Sequence, residues 1–210
     1  MNCTRKILYV FISLILFAPG CLSLKKPVIK IDYYTLEYDS PDVAFQEQLP
    51  FVVRIERFLV TPVYNSSRIV YSEQKFKRAA YNYHRWHSSP GDLVTYFLAR
   101  DMRKSNLFKA VLTYDTRFLS SHAIEGIVDE FYEKDEKDLW KAVLSVSITL
   151  VREGEPDISK RVLFQKKYSA KETCEQKTPL ALAKAMSNAM AKISEMIITD
   201  TYNCLNFSRP

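Results

Sequence analysis

Chemistry in this chain would have to come from its histidines, serines, carboxylates or cysteines, so their spacing decides which reactions are open to it. His84 and His87 lie three residues apart and His122 stands alone, with no H-E-x-x-H and no C-x-x-C. A zinc site needs three or four convergent ligands, and on an extended segment residues three apart face opposite ways. No metal site is therefore expected. No G-x-S-x-G presents a serine nucleophile, and Ser88-Ser89 beside His87 reads as a helix cap. Acidic residues crowd positions 129–138 but alternate with lysines, as solvated hairpins do. Only 4 glycines occur in 210 residues, and neither G-x-G-x-x-G nor G-x-x-x-x-G-K-[ST] is present, which removes the phosphate-cradling loops of nucleotide enzymes. The expectation is a non-enzymatic chain, with no catalytic residue and no cofactor.

One run interleaves aromatic and basic residues: Tyr81-Asn82-Tyr83-His84-Arg85-Trp86-His87. On a strand, one face would pack Trp86 into the start of the next helix. Tyr81, Tyr83 and Arg85 would occupy the other, and they form the candidate partner surface, because exposed tyrosines suit interfaces. No nucleic-acid role is expected, since the chain reads as exported.

The elements that position these residues are legible from period and punctuation. Ile31 to Tyr38 is rich in β-branched and aromatic residues, and Phe51, Val53 and Ile55 alternate with Val52, Arg54 and Glu56 as in a half-buried strand. Pro62 and Asn65-Ser66-Ser67 mark a turn, after which Arg68 to Glu73 reads as the returning strand of a hairpin. Another extended run covers 76–86. Ser89 as N-cap, Pro90 at the first position and Asp92 in the first turn open a helix with the stripe Val94, Phe97, Leu98 and Met102. It should stop near Ser105-Asn106, with 107–114 returning to strand. Trp140, Ala142, Leu144, Val146, Ile148 and Leu150 give the clearest alternation in the chain. This strand should lie between 122–132 and 158–168 in an antiparallel sheet covered on one side. Thr178 and Pro179 open a last helix with Leu182, Met186, Ala189, Ile193 and Ile197 on one stripe. The expected fold is α+β: an antiparallel-rich sheet with two main helices packed on one face.

Arg5 and Lys6 precede the apolar run Ile7 to Phe17, and Ala18-Pro19-Gly20-Cys21 follows. That order is the layout of a secretory signal, too short to span a bilayer. Gly20-Cys21 is similar to a bacterial lipobox, which makes Cys21 the lipidation site; ordinary cleavage after Gly20 would instead leave Cys21 as a thiol. Composition agrees with an exported folded domain: 47% apolar and 26% charged residues exclude a disordered chain. The net charge of +6 falls to +4 once Arg5 and Lys6 leave with residues 1–20. The organisation is then a signal at 1–20, a tether at 21–30, one domain at 31–204 and a tail at 205–210. Oxidising conditions make a Cys174–Cys204 disulfide conceivable. The two residues flank the last helix, so the flanking chain would have to double back to bring them together.

The order of these features carries a resemblance. Tyr33-Tyr34-Thr35-Leu36 opens the domain, followed by the Phe51-to-Ile55 strand and Arg68 to Tyr71. Trp86 stands four residues before Pro90, and 105–111 follows that helix. The Ile124-to-Phe131 strand, the long 139–151 strand and the alanine-rich final helix complete the series. Over about 32–200 the chain resembles the ABC-type transport auxiliary lipoproteins, the PqiC-like partners of MCE-type lipid transporters. The resemblance implies a non-enzymatic periplasmic lipoprotein whose Cys21 carries palmitate or a similar acyl chain, with an MCE-family protein as partner and homo-oligomers conceivable. Leu22 rather than aspartate after Cys21 implies the outer membrane. A structural or assembly lipoprotein of the outer membrane is the alternative. A periplasmic hydrolase would require a deep polar pocket.

Overall fold

The computed structural model describes residues 30–45 and 47–208, so the expectations for the signal and for Cys21 lie outside them. From Ile31 onward the chain forms one unit. Its strands are β1 (Asp32–Tyr34), β2 (Leu49–Ile55), β3 (Leu59–Val60), β4 (Arg68–Ser72), β5 (Ala79–Trp86), β6 (Phe108–Thr113), β7 (His122–Asp135), β8 (Trp140–Arg152) and β9 (Val162–Thr173). Its helices are α1 (Pro90–Lys104), the single turn α2 (Ile158–Arg161) and α3 (Pro179–Phe207).

All nine strands belong to one sheet built around β7. One edge of β7 pairs antiparallel with β8 along its whole length, and β9 pairs antiparallel beyond β8, as the alternation at 140–150 implied. The other edge is shared by three short parallel strands placed end to end. β2 takes His122–Ile124, β3 takes Ile127–Val128, and β4 takes Glu133–Lys134. The amides of Glu56 and Thr61, donating to the carbonyls of Ile124 and Val128, continue the ladder between them. The expected hairpin between 51–55 and 68–73 is therefore not formed: those two strands follow one another along one edge. The sheet is mixed rather than antiparallel throughout. It forks, with β6 outside β2 at the start of β7, and β5 and β1 outside β4 at its end.

A bulge between Val128 and Glu130 reverses the alternation midway along β7. Ile124, Gly126 and Val128 face the helices before it, and Phe131 and Glu133 face them after it. Even-numbered residues of β8 from Ala142 to Leu150 are all buried on that face, whereas Val143 and Ser145 opposite are also buried. There Tyr132, the register partner of Val143, stacks on Tyr64 with Arg78 over its ring.

α1 packs on β6, β7 and β2, and α3 crosses β8 and β9 and touches α1. The caps read from sequence are in place: Ser89 Oγ accepts from the Asp92 amide, and Thr178 from the Ala181 amide. α3 runs on to Phe207, with Leu205 fully buried, so the last turn belongs to the domain rather than to a tail from 205. After three residues of β1 the chain leaves the sheet and straps both helices. The Glu37 amide donates to Ser187 on α3, and Tyr38 donates to the buried Asp101 on α1.

Helix α1 is pinned to the sheet through Phe58. Its ring lies over Gly126, where a Cβ would stand 2.2 Å from Phe58 Cε1. Its carbonyl oxygen would be 2.5 Å from a Cβ on Gly91, and its amide donates to Thr95 Oγ1. Gly126→Ala should cost roughly 1–3 kcal/mol, read as a lowered thermal midpoint. The loss should shrink in a Phe58→Leu background. An unchanged midpoint in Gly126→Ala would contradict the close approach.

Candidate functional site

The run at 81–87 does not form the single surface that strict alternation predicts. β5 carries a register shift against β4, since Ala80 faces Val70 but Arg85 faces Arg68. Trp86 is buried edge-to-face on Phe131, as expected. Tyr81 turns inward and donates to both carboxylate oxygens of Glu133 at 3.0 and 3.1 Å. Its ring meets Tyr71, His84 and Trp140. Tyr83 is exposed and Arg85 half-buried, so of the three nominated residues only Tyr83 is freely presented. His84 sits against Tyr34 and His87 against Tyr33. Among the described residues no group of three His, Cys, Asp or Glu side chains could hold a metal ion.

Cys174 and Cys204 are free thiols. Cys174 precedes α3 and Cys204 lies in its last turn, and a helix of 29 residues is about 43 Å long. Burial pushes the Cys174 thiol up to about 11 and raises Cys204 as well, which favours the protonated thiol at both.

The most organised exposed feature is the loop between β6 and β7. Because β6 lies outside β2, the connection 114–121 from β6 to β7 must cross β2, and it crosses the face away from the helices. Arg54, on that face and only 12% exposed, donates Nε to Ser120 Oγ at 3.1 Å and Nη1 to the Thr116 carbonyl at 2.8 Å. Its Nη2 reaches the Phe118 carbonyl. Ser121 clips the other end to the Val52 backbone through its amide and hydroxyl. One half-buried guanidinium thus uses three donors to fix the loop. The tip it fixes presents Phe118 at 76% and Leu119 at 92% exposure. A held loop that displays two large apolar side chains is a candidate docking surface. The signal available in sequence was an apolar pair inside an otherwise polar loop.

Two buried titratable groups lie at opposite ends of β7. Glu133 is fully buried, and loss of hydration raises its carboxyl to about 7, opposed by the Tyr81 hydrogen bond and aided by Asp135. His122 is buried beside Phe51, and loss of hydration together with the Arg152 charge lowers it to about 4.

With this geometry the relatives can be placed. Residues 34–198 match the model of the ABC-type transport auxiliary lipoprotein component. The chain belongs to that family. No curated protein is similar enough in sequence to match. A crystal structure of a Xanthomonas campestris protein shares the fold with a TM-score of 0.75 at 14% identity, over 83% of this chain and 97% of that one. A hypothetical protein of Chlamydia trachomatis superposes with a TM-score of 0.53 at 6% identity, over 75% and 98%. At these identities the likeness establishes the fold alone. As an auxiliary lipoprotein component the chain has a transporter as its context, and among the described residues no helix is long and apolar enough to cross a membrane.

The two buried groups predict an unusual pH response. Glu133 holds a proton in the folded state that the unfolded chain releases above about 4.5, so its contribution to stability falls as pH rises to about 7. The unfolded chain protonates His122 below about 6.5 while the fold resists to about 4, so that contribution rises over the same window. Between about pH 4.5 and 6.5 the slopes cancel. Glu133→Gln should leave stability rising with pH by up to about 1.4 kcal/mol per unit, and His122→Phe should leave it falling. Denaturant titrations at several pH values check this; two variants with the same sign of slope would contradict it.

Proposed function

We propose that this chain is a non-enzymatic, lipid-anchored auxiliary component of an ABC/MCE-type lipid transport system, held by acylated Cys21 at the periplasmic side of the outer membrane. The observation that carries the reading is the family match across nearly the whole sheet-and-helix unit. The anchor is supported by Gly20-Cys21 behind an apolar signal core, and the outer-membrane location by Leu22 following the cysteine. ATP hydrolysis and membrane passage would belong to other chains, which suits a sequence without a P-loop. The loop clamped by Arg54 is the docking point for the MCE-family partner. Its Phe118-Leu119 tip offers an apolar anchor whose shape is set before binding, which lowers the ordering cost of association.

Fatty-acid labelling of cells should mark the parent chain and lose the mark in Cys21→Ser; a labelled Cys21→Ser chain would refute the anchor. Crosslinked membranes should yield an MCE-family protein with the parent. Phe118→Ser with Leu119→Ser should reduce that recovery at least about tenfold, with the thermal midpoint unchanged because both side chains are exposed. Undiminished recovery would remove the loop from the interface, and failure ever to recover such a protein would remove the partner.

A further inference from the structure

The β4–β5 hairpin, residues 73–78, presents Phe76 at 92% exposure with a backbone φ of +66°. A bulky side chain in the left-handed region is strained, and glycine or asparagine would occupy the position at lower cost. The tip is nonetheless held firmly. Ser72 Oγ lies 2.9 Å from the carbonyl oxygens of Gln74 and Lys77, and Arg78 donates to Ser72 Oγ and to the Lys77 carbonyl. At that exposure the Phe76 ring adds little to the core of the domain. Its neighbours have one sign: Lys75 lies over the Phe76 ring, with Lys77 and Arg78 following. Behind the tip a groove of about 700 Å³ is lined by Val63, Tyr64, Phe76, Arg78, Tyr132 and Lys134 among others. Glu73 is the acidic residue on its rim.

The tip's place in the fold selects the partner. Tyr71 faces both Glu133 and Ala79, so the hairpin projects from the end of the sheet where β7 finishes. β1 runs parallel to β5, with Asp32 opposite His84, so at Asp32 the chain is travelling away from the hairpin. Ten residues separate Cys21 from Ile31, a reach of at most about 35 Å. Phe76 and His84 are eight residues apart, at most about 27 Å along β5. A tether anchored at Cys21 can therefore bring the tip to the surface that holds the acyl chains. The Phe118-Leu119 loop sits toward the opposite end, beside the start of β7.

We propose that the Phe76 hairpin docks on an anionic phospholipid surface, with the phenyl ring inserted among the acyl chains and Lys75 and Lys77 at the headgroups. The anchored-lipoprotein reading supplies only the orientation; the contact itself is tested without it. The chain from residue 21 onward, carrying Cys21→Ser and titrated with vesicles one-third phosphatidylglycerol in phosphatidylethanolamine, should sediment with lipid at millimolar concentrations. Binding should weaken with salt. Phe76→Ser should lower the partition coefficient at least about tenfold. Lys75→Gln and Lys77→Gln should each lower it about fivefold, and Phe118→Ser should match the parent. Phe76→Gly should bind as poorly as Phe76→Ser while its thermal midpoint rises, which separates lost docking from lost folding. A parent that ignores anionic vesicles, or a Phe76→Ser chain that partitions like the parent, overturns the proposal. Failure of Cys21 acylation leaves these outcomes unchanged.

Discussion

Every buried amide along β7 needs a partner, and meeting that need organises the rest of the fold. β8 satisfies one edge of the strand in a single antiparallel run. The other edge is as long, and no single strand covers it; residues 49–72 do so in three parallel steps. An unpaired amide inside this core would cost about as much as the net stability of several hydrogen bonds. The steps between β2, β3 and β4 are therefore fixed tightly, and Phe58 fills the first of them. Two of the chain's four glycines make room for that residue, Gly126 for its ring against β7 and Gly91 for its carbonyl against α1.

The fork in the sheet follows from this arrangement and sets the two candidate surfaces apart. Strands added outside β2 can exist only near the start of β7, and strands outside β4 only near its end. A loop from β6 must cross β2, which places Arg54 beneath it and Phe118-Leu119 above. A hairpin between β4 and β5 must project past the far end, which places Phe76 there. One end of the domain is thus suited to a lipid surface and the other to a protein partner. Such polarity fits a component that works between a membrane and a transporter.

Local signals carried much of this into the sequence. Ser89-Pro90 and Thr178-Pro179 fix both main helices through caps that act over three residues, and the alternation from Trp140 to Leu150 fixes the central antiparallel pairing. What stayed hidden depends on contacts distant in sequence. The hairpin expected between 51–55 and 68–73 is locally reasonable, and only β7, some fifty residues later, offers a better edge. The bulge at 128–130 and the irregular register of β5 shift faces without any mark in composition. For that reason Tyr81 points to Glu133 rather than beside Tyr83. Arg54 looked like an ordinary polar position on a strand because its three acceptors lie more than sixty residues downstream.

The proposed polarity puts lipid at one end of the domain and protein at the other. A photoreactive phenylalanine analogue placed singly at position 76 or 118 of the full chain, activated in intact cells, tests it most directly. Position 76 should give phospholipid adducts and no discrete protein adduct, and position 118 a discrete protein adduct. A protein adduct at 76 and lipid at 118, or the same product from both, would contradict it.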